Sequence, residues 1–214
     1  MSDLHHLVRE PKVKLDKNPV LILLHGYGSN EEDLFSFATE LPETYYVISV
    51  RAPHSLEPYG HAWYSLYFDR GQNKFSDNAQ AIESRDKVVA FIDQLPGKYA
   101  VDMSDITLIG FSQGSILSYA IALSYPSKIK RVIAMSGYLN EEILVENYKS
   151  NDFSGLKMFV SHGSVDQTVP VDWARKATPI LESLKIEHVY KEYPVGHGVA
   201  PQNFYDLLKW LEQN

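Results

Sequence analysis

The sequence predicts an α/β protein in which a mostly parallel sheet is covered by helices on both faces. Short apolar runs alternate with amphipathic stretches from residue 20 to the C-terminus, and this alternation is typical of such a sheet. Several runs, such as residues 20–24 and 132–135, are continuously apolar, as expected for strands buried on both faces. With 214 residues and 44% hydrophobic residues, residues 1–214 are predicted to form a single domain.

The strands are predicted from apolar runs that contain β-branched or aromatic residues and end at turn-forming residues. A short edge strand is expected before Asn18 and Pro19. The run at residues 106–109 is followed by a segment of helical period, so the chain must turn from strand to helix around Ser112. In chain order, the predicted strands are residues 12–15, 20–24, 45–50, 106–109, 132–135, 158–160 and 188–193.

The helices are predicted from the helical spacing of apolar residues and from capping residues. Ser29 or Asn30 can cap the first helix, which Pro42 ends, and Asp77 or Asn78 opens a long second helix. In chain order, the predicted helices are residues 31–37, 78–95, 116–124, 141–148, 173–184 and 204–211.

Residues 53–77 show no clear period and are rich in aromatic side chains. A loop of this length in a compact domain is usually functional or disordered, and the aromatic content argues against disorder. We interpret the stretch as a lid or a pocket wall, with Trp63, Tyr64 and Phe68 as candidate pocket residues. The alternative is that these rings only plug the edge of the core.

The composition argues against several classes of function. The formal net charge of −7 disfavours a nucleic-acid binder, and the local basic cluster of Lys128, Lys130 and Arg131 is interpreted as a solvated connection. The absence of cysteine excludes disulfides, thiolate metal sites and a cysteine nucleophile. The N-terminal residues lack the apolar core of a secretory signal, and no apolar run approaches the roughly 18 residues that span a bilayer. We therefore expect a cytoplasmic protein without an integral membrane segment.

The turn around Ser112 carries the pattern G-x-S-x-G, from Gly110 to Gly114. This pattern is that of a nucleophile elbow, in which small residues let a strand and a helix approach closely while a strained turn exposes the serine hydroxyl. The pattern alone is weak, but its position between a predicted strand and a predicted helix favours a catalytic serine.

A serine nucleophile needs a base, and the base needs an acid that orients it. His197 lies between two glycines in a loop after the last predicted strand, and Asp166 follows the strand before it. His162 is interpreted as a structural hydrogen-bonding residue, and so is His25 when it is taken alone. The order Ser112, Asp166, His197 is that of α/β-hydrolases. In a parallel sheet all three would lie at the same edge.

Five motifs together resemble those of the phospholipase/carboxylesterase family, which includes acyl-protein thioesterases and small carboxylesterases. They are HGYG, AWY, GFSQGS, SHGSVDQTVP and GHGVAPQ, and the resemblance covers nearly all of residues 20–211. It implies an α/β-hydrolase fold without a separate cap domain and a triad of Ser112, Asp166 and His197. It also implies an oxyanion hole formed by the backbone N–H groups of Tyr27 and Gln113, where side-chain substitution should matter much less than Ser112→Ala.

The resemblance and the residues together predict a serine carboxylesterase that acts on small-molecule esters and favours short to medium acyl chains. An acyl thioesterase and a lysophospholipase are the alternatives among enzymes, and a ligand-binding relative without turnover is the alternative outside them. No cofactor or metal is expected. A homodimer is compatible with the sequence, which does not itself indicate one.

Overall fold

The computed structural model describes residues 4–68 and 74–214, and the side chains of residues 68, 74 and 75 lie outside this description. In chain order, the strands are β1 (His6–Arg9), β2 (Asn18–Leu24), β3 (Tyr46–Val50), β4 (His54–Ser55), β5 (His61–Ala62), β6 (Leu66–Phe68), β7 (Lys74–Ser76), β8 (Val101–Phe111), β9 (Arg131–Met135), β10 (Lys157–Gly163) and β11 (Glu187–Tyr193). The helices are α1 (Glu32–Phe35), α2 (Asn78–Gln94), α3 (Gln113–Ser124), α4 (Val171–Arg175), α5 (Ala177–Ser183) and α6 (Pro201–Gln213).

Seven strands form the central sheet, in the order β1-β3-β2-β8-β9-β10-β11. β1 runs antiparallel to β3, and every other neighbouring pair is parallel. The parallel strands therefore present their carboxyl ends at a single edge, where ligands of such sheets usually bind. This edge carries the segments that follow β2, β8, β10 and β11.

Both faces of the sheet are covered, which confirms the predicted fold class. Along β2, Val20, Ile22 and Leu24 belong to a buried cluster that contains residues of α2, α3 and α5. The alternate residues Leu21 and Leu23 belong to a second cluster with residues of α1 and α6. Because neighbouring strand residues point to opposite faces, a continuously apolar strand packs against helices on both sides. The described residues form no separate cap domain.

Several predicted elements differ from the observed ones. Residues 12–15 form no strand, and the first strand is His6–Arg9. Residues 141–148 are not a helix but contain the 3-10 turn Glu141–Ile143 and the start of a second, Tyr148–Ser150. The helix predicted at residues 173–184 is divided between α4 and α5.

The described residues within 53–77 are more regular than the sequence indicates. His54–Ser55 pairs with His61–Ala62 in one antiparallel hairpin, and Leu66–Phe68 pairs with Lys74–Ser76 in a second. The first hairpin is tied to the turn after β2, since Gly28 N–H donates to the His61 carbonyl at 2.9 Å. The stretch is thus attached to the edge of the sheet where the candidate site lies.

None of the helices within residues 4–68 and 74–214 combines the length and the apolar character that crossing a bilayer requires.

Candidate active site

Ser112 lies in a strained turn between β8 and α3. Its backbone dihedral angles are φ 52° and ψ −116°, a region that non-glycine residues rarely adopt. The Ser112 N–H donates to the carbonyl of Met135 at the end of β9, at 2.9 Å, which anchors the turn to the neighbouring strand. The strain is therefore held by the sheet, as the elbow pattern predicts.

The glycines of the elbow are explained by close backbone contacts. A Cβ atom on Gly114 would overlap the carbonyl oxygen of Leu24 in β2, and one on Gly110 would lie 2.5 Å from the carbonyl oxygen of Gly114. A Cβ on Gly26 would lie 3.3 Å from the Cβ of Ser112. Strand, helix and the turn after β2 thus approach one another as backbones around the serine.

Ser112, His197 and Asp166 form a continuous hydrogen-bonded chain. His197 Nε2 lies 2.9 Å from Ser112 Oγ, and His197 Nδ1 lies 2.7 Å from Asp166 Oδ2. A carboxylate only accepts hydrogen bonds, so Nδ1 carries a proton and Nε2 is the nitrogen that can accept the serine proton. The structure brings together the three residues predicted as the triad.

The Asp166 carboxylate is fully buried and well supplied with donors. Its Oδ1 accepts hydrogen bonds from the N–H groups of Thr168 at 2.8 Å and Val169 at 2.9 Å. The side chain of Asp166 has no solvent exposure, whereas that of His197 is 20% exposed. The two backbone donors thus satisfy Oδ1, while Oδ2 is the oxygen that lies next to His197 Nδ1.

His162 contacts the same carboxylate from the other side. Its fully buried imidazole places Nε2 at 2.8 Å from the Val169 carbonyl and at 3.4 Å from Asp166 Oδ2. Since both neighbours are acceptors, Nε2 carries the proton. This agrees with the interpretation of His162 as a hydrogen-bonding residue, and it adds Asp166 to its contacts.

His25 shapes the turn that carries Tyr27. Its Nδ1 lies 2.8 Å from the Gly26 carbonyl, and its Nε2 accepts from the N–H of Ala52 at 3.0 Å. Burial lowers the pKa of His25, so the imidazole stays neutral and keeps one donor and one acceptor. The His25 carbonyl in turn accepts from the indole N–H of Trp63 at 2.9 Å. His25 is thus a packing residue whose hydrogen bonds join the turn after β2 to Ala52 and Trp63.

The two predicted oxyanion donors flank Ser112. Gln113 is the first residue of α3, so its N–H has no partner within the helix. Tyr27 follows Gly26, whose backbone borders Ser112, and both Tyr27 and Gln113 line the cavity at the serine.

The side chain of Gln113 has a role that sequence reasoning missed. It is buried, its Oε1 accepts from the N–H of Trp63 at 2.7 Å, and its Nε2 donates to the carbonyl of Tyr64 at 2.7 Å. Local sequence carries no signal for these bonds, because the partners lie about fifty positions earlier in the chain. The elbow is thereby tied to the backbone of Trp63 and Tyr64.

A cavity of about 440 Å³ opens at Ser112 and His197. Tyr64, Leu66 and Ser76 of the aromatic stretch form part of its wall. Trp63 is fully buried and does not line it, and the side chain of Phe68 lies outside the described residues. The remaining lining residues, none of which was predicted as a pocket residue, are Asn78, Ile116, Tyr138, Asn140, Glu142, Thr168, Val169 and Trp173.

Comparison with known proteins assigns the chain to a family. A sequence profile described as Phospholipase/Carboxylesterase matches residues 5–214. The chain belongs to this family. The match confirms the resemblance drawn from the five sequence motifs and places the chain among hydrolases.

Two relatives in the phospholipase/carboxylesterase family illustrate its range. A probable carboxylesterase of Arabidopsis thaliana, SOBER1-like, is 28% identical over 139 residues, which cover 64% of this chain but only 52% of that relative's length. Acyl-protein thioesterase 1 of Mycosarcoma maydis is 23% identical over 237 residues, which cover 100% of this chain and 98% of the relative.

Solved structures of similar fold include two esterases. Esterase PE8 is 24% identical, with 99% of both chains covered and a TM-score of 0.84. A Bacillus cereus carboxylesterase is 20% identical, with 98% of this chain and 94% of the other covered, and also has a TM-score of 0.84. These likenesses show that the chain has the α/β-hydrolase fold.

Proposed function

We propose that the chain is a serine carboxylesterase in which Ser112 is the nucleophile, His197 the general base and Asp166 the residue that orients it. The observation that carries the proposal is the pair of hydrogen bonds at His197, 2.9 Å to Ser112 Oγ and 2.7 Å to Asp166 Oδ2. These distances are within the range expected of a nucleophile and its base. The strained turn at Ser112 and the open cavity beside it support the same assignment.

The proposed reaction proceeds through an acyl-enzyme. Ser112 Oγ attacks the ester carbonyl carbon while His197 Nε2 takes the serine proton, and the N–H groups of Tyr27 and Gln113 donate to the developing oxyanion. Collapse of the tetrahedral intermediate breaks the bond to the leaving alcohol, which receives the proton from His197. A water molecule then repeats the sequence on the acyl-enzyme, which releases the acid and restores Ser112.

The cavity lining supports a preference for short to medium acyl chains. Leu66, Ile116, Val169, Trp173 and three tyrosines give the cavity apolar surface. Besides the proposed catalytic groups and Gln113, five further lining residues carry polar side chains, and they are Ser76, Asn78, Asn140, Glu142 and Thr168. A long alkyl chain laid against them would remove polar groups from water without supplying hydrogen bonds, which is unfavourable. We further propose that residues 53–77 act as a pocket wall, because Tyr64, Leu66 and Ser76 line the cavity.

Acyl thioester hydrolysis is the second candidate activity, because several relatives are acyl-protein thioesterases by name. The same nucleophile and base would serve a thioester, so the two activities differ in the substrate that the cavity admits. Lysophospholipid hydrolysis remains a third candidate within the same chemistry.

A fluorophosphonate probe tests the nucleophile. We expect the parent protein to be labelled at Ser112, and Ser112→Ala to lose both the labelling and at least about a thousandfold in kcat/KM for p-nitrophenyl esters. Ser127→Ala, which removes an exposed serine outside the cavity, is the matched control and keeps both. An unlabelled parent protein would point to a relative without turnover and contradict the proposal.

A panel of esters and thioesters of increasing acyl length tests the substrate class. We expect the maximum of kcat/KM at short or medium acyl esters. A maximum at long acyl thioesters would overturn the carboxylesterase assignment in favour of the thioesterase, while labelling of Ser112 would be retained in both cases.

A further inference from the structure

One corner of the cavity is built from two asparagines and a glutamate. Asn78 is the first residue of α2, and its Nδ2 donates to Glu142 Oε2 at 2.5 Å. Asn140 Nδ2 donates to Asn78 Oδ1 at 3.3 Å, and the N–H of Glu142 donates to Asn140 Oδ1 at 3.1 Å. These bonds hold the Glu142 carboxylate in a defined position, and all three residues line the same cavity as Ser112. We call this group the polar corner.

The polar corner gives the cavity a negative charge, and none of the described lining residues offsets it. Among the described residues that line the cavity, Glu142 is the only carboxylate and none is a lysine or arginine. No ion pair joins Glu142 to a lysine or arginine within the described part of the chain. The adjacent Glu141, in contrast, lies 3.3 Å from Lys149, accepts from the Tyr148 hydroxyl at 2.6 Å and does not line the cavity.

Aromatic rings face the same space. Tyr64, Tyr138 and Trp173 line the cavity, and the rings of Tyr138 and Trp173 meet edge to face with centroids 5.3 Å apart. Burial raises the pKa of Tyr138, a side-chain hydrogen bond with Ser76 opposes this, and the charge of Glu142 adds to the rise, so the Tyr138 hydroxyl stays neutral. Aromatic faces attract cations, most strongly where solvent is partly excluded.

We propose that the cavity selects esters that carry a positively charged group, such as a quaternary ammonium, in the part of the substrate that reaches the polar corner. The inference rests on the proposed esterase function and names a substrate class for it. A carboxylate and aromatic rings that line one cavity are the groups that recognise such a cation, and the net charge of −7 favours the approach of cationic molecules.

A purely structural role for Glu142 makes a different prediction. Its bond to Asn78 ties the segment after β9 to the start of α2, where a negative charge is favourable at a helix N-terminus. Loss of the bond between Asn78 and Glu142 would then change kcat/KM for charged and neutral substrates by the same factor. Recognition of a cation would instead change the ratio between charged and neutral substrates.

The experiment compares matched pairs of esters that differ only in charge. One pair carries the charge in the alcohol, butyrylcholine against 3,3-dimethylbutyl butyrate. The other carries it in the acyl group, the p-nitrophenyl esters of 4-(trimethylammonio)butanoate and 5,5-dimethylhexanoate. We expect the parent protein to prefer the cation about five- to tenfold in kcat/KM for at least one pair, since one partly screened charge acts at short range.

Two glutamine variants locate the origin of the preference. Glu142→Gln keeps the size and hydrogen-bonding capacity of the side chain, and we expect the ratio of cationic to neutral kcat/KM to fall to about one. Glu141→Gln removes the neighbouring charge outside the cavity and should leave the ratio at its parent value. A ratio near one in the parent for both pairs, or a ratio that Glu142→Gln does not change, would overturn the inference.

The inference and the proposed function fail in distinguishable ways. If the neutral esters are hydrolysed and Ser112 is labelled by the fluorophosphonate, a missing cation preference counts against the inference alone. If neither ester of either pair is hydrolysed and Ser112 is not labelled, the proposed function is wrong, and the inference with it.

Discussion

The side chain of Gln113 donates from Nε2 to the backbone carbonyl of Tyr64 at 2.7 Å, and its Oε1 accepts from the adjacent Trp63 N–H. One buried amide thus satisfies the backbone N–H of one residue and the backbone carbonyl of the next. The residue proposed to donate its backbone N–H to the oxyanion therefore also fixes the position of the cavity wall. A shift of the cavity wall is therefore expected to displace the backbone N–H of Gln113, and a shift of that N–H is expected to displace the wall.

Gln113→Ala is expected to lower both stability and activity. Each buried peptide group left without a partner costs about 1–3 kcal/mol, so for the two groups we expect a loss of about 2–6 kcal/mol in the free energy of unfolding measured in urea. We also expect kcat/KM for p-nitrophenyl esters to fall at least about tenfold, because the wall and the N–H of residue 113 shift together.

Gln80→Ala is the matched control for Gln113→Ala. Gln80 Oε1 also accepts from a backbone N–H of the pocket wall, that of Ser65, at 2.8 Å. Unlike Gln113, Gln80 is remote from the elbow in sequence and does not line the cavity. We expect it to lower stability with little change in kcat/KM. Equal losses of activity in the two variants would contradict the special role of Gln113.

His162 is expected to act as a positioning residue for Asp166. His162→Leu removes the donor that lies between Val169 O and Asp166 Oδ2 while filling a similar volume. The variant leaves the buried Val169 carbonyl without its donor, at a cost of about 1–3 kcal/mol, and removes the N–H that lies 3.4 Å from the Asp166 carboxylate. Part of this cost should reach the transition state. We expect kcat to fall about tenfold with KM nearly unchanged, measured by steady-state kinetics.

His162→Gln separates this positioning role from simple packing. A glutamine can place its amide N–H near the site of the imidazole Nε2, so it should recover part of the kcat lost in His162→Leu. If the two variants are equally impaired, or if the leucine variant keeps the parent kcat, the contact of the His162 N–H with Asp166 does not matter for the reaction.

The grouping of Ser112, Asp166 and His197 could be predicted because it depends on a property of the whole sheet. Strands that run parallel end at the same edge, so residues that follow the ends of β8, β10 and β11 meet whatever their separation in sequence. Only local signals were needed, namely an apolar run, a turn and a reactive residue. The observed hydrogen bonds agree with this grouping, and the catalytic roles remain predictions.

The failed prediction at residues 12–15 shows where local patterns are insufficient. Val13 and Leu15 alternate with lysines as in an edge strand, yet both are exposed. The side chain of Asn18 holds this segment as a loop, since it accepts from the N–H of Leu15 and donates to the carbonyl of Val13. The strand forms instead at His6–Arg9, where β3 supplies the backbone partners.

The pocket residues were missed for a related reason. The polar corner joins the start of α2 to a 3-10 turn more than sixty positions away, and the sequence shows only ordinary capping residues at both places. Trp63 was expected in the pocket because of its aromatic ring, but its indole N–H is used to hold the His25 carbonyl. Long-range hydrogen bonds of this kind decide whether a ring faces the cavity or the core, and the local sequence does not show them.

Gly114→Ala tests the packing of the elbow, because two effects of opposite sign compete there. Gly114 lies in α3, where alanine is favoured over glycine by about 1 kcal/mol. The added Cβ would overlap the Leu24 carbonyl of β2, and such overpacking typically costs about 1–3 kcal/mol. We expect the clash to dominate, with lower stability in urea and a loss of esterase activity as Ser112 is displaced.

Gly155→Ala is the control for Gly114→Ala, because nothing lies within 4 Å of its added Cβ. We expect its stability to remain within about 0.5 kcal/mol of the parent, with unchanged activity. A Gly114→Ala protein as stable and active as the Gly155→Ala protein would show that α3 and β2 can separate without cost.

Glu31 and Arg51 form an ion pair in which the Glu31 side chain is buried. The contribution of this ion pair to stability should depend on pH. The guanidinium of Arg51 donates to both carboxylate oxygens of Glu31, at 2.6 and 2.5 Å, and holds the pKa of Glu31 at about 2, against an ordinary value of 4.5. Because the folded pKa is lowered, the unfolded chain binds the proton more readily, and stability rises with pH in this range.

Glu31→Gln should therefore destabilise the protein at neutral pH and matter less in acid. The contribution of Glu31 is fully present above about pH 5, is limited to about 3 kcal/mol, and is lost as the pH falls from about 5 toward 2. Urea unfolding of parent and variant from pH 7 to pH 3 should show the difference in stability shrinking with pH. Glu43→Gln, which breaks the exposed ion pair with Lys12, is the control and should leave the unfolding midpoint unchanged. A difference between parent and Glu31→Gln that is constant over this range would show that the carboxylate does not take up its proton on unfolding.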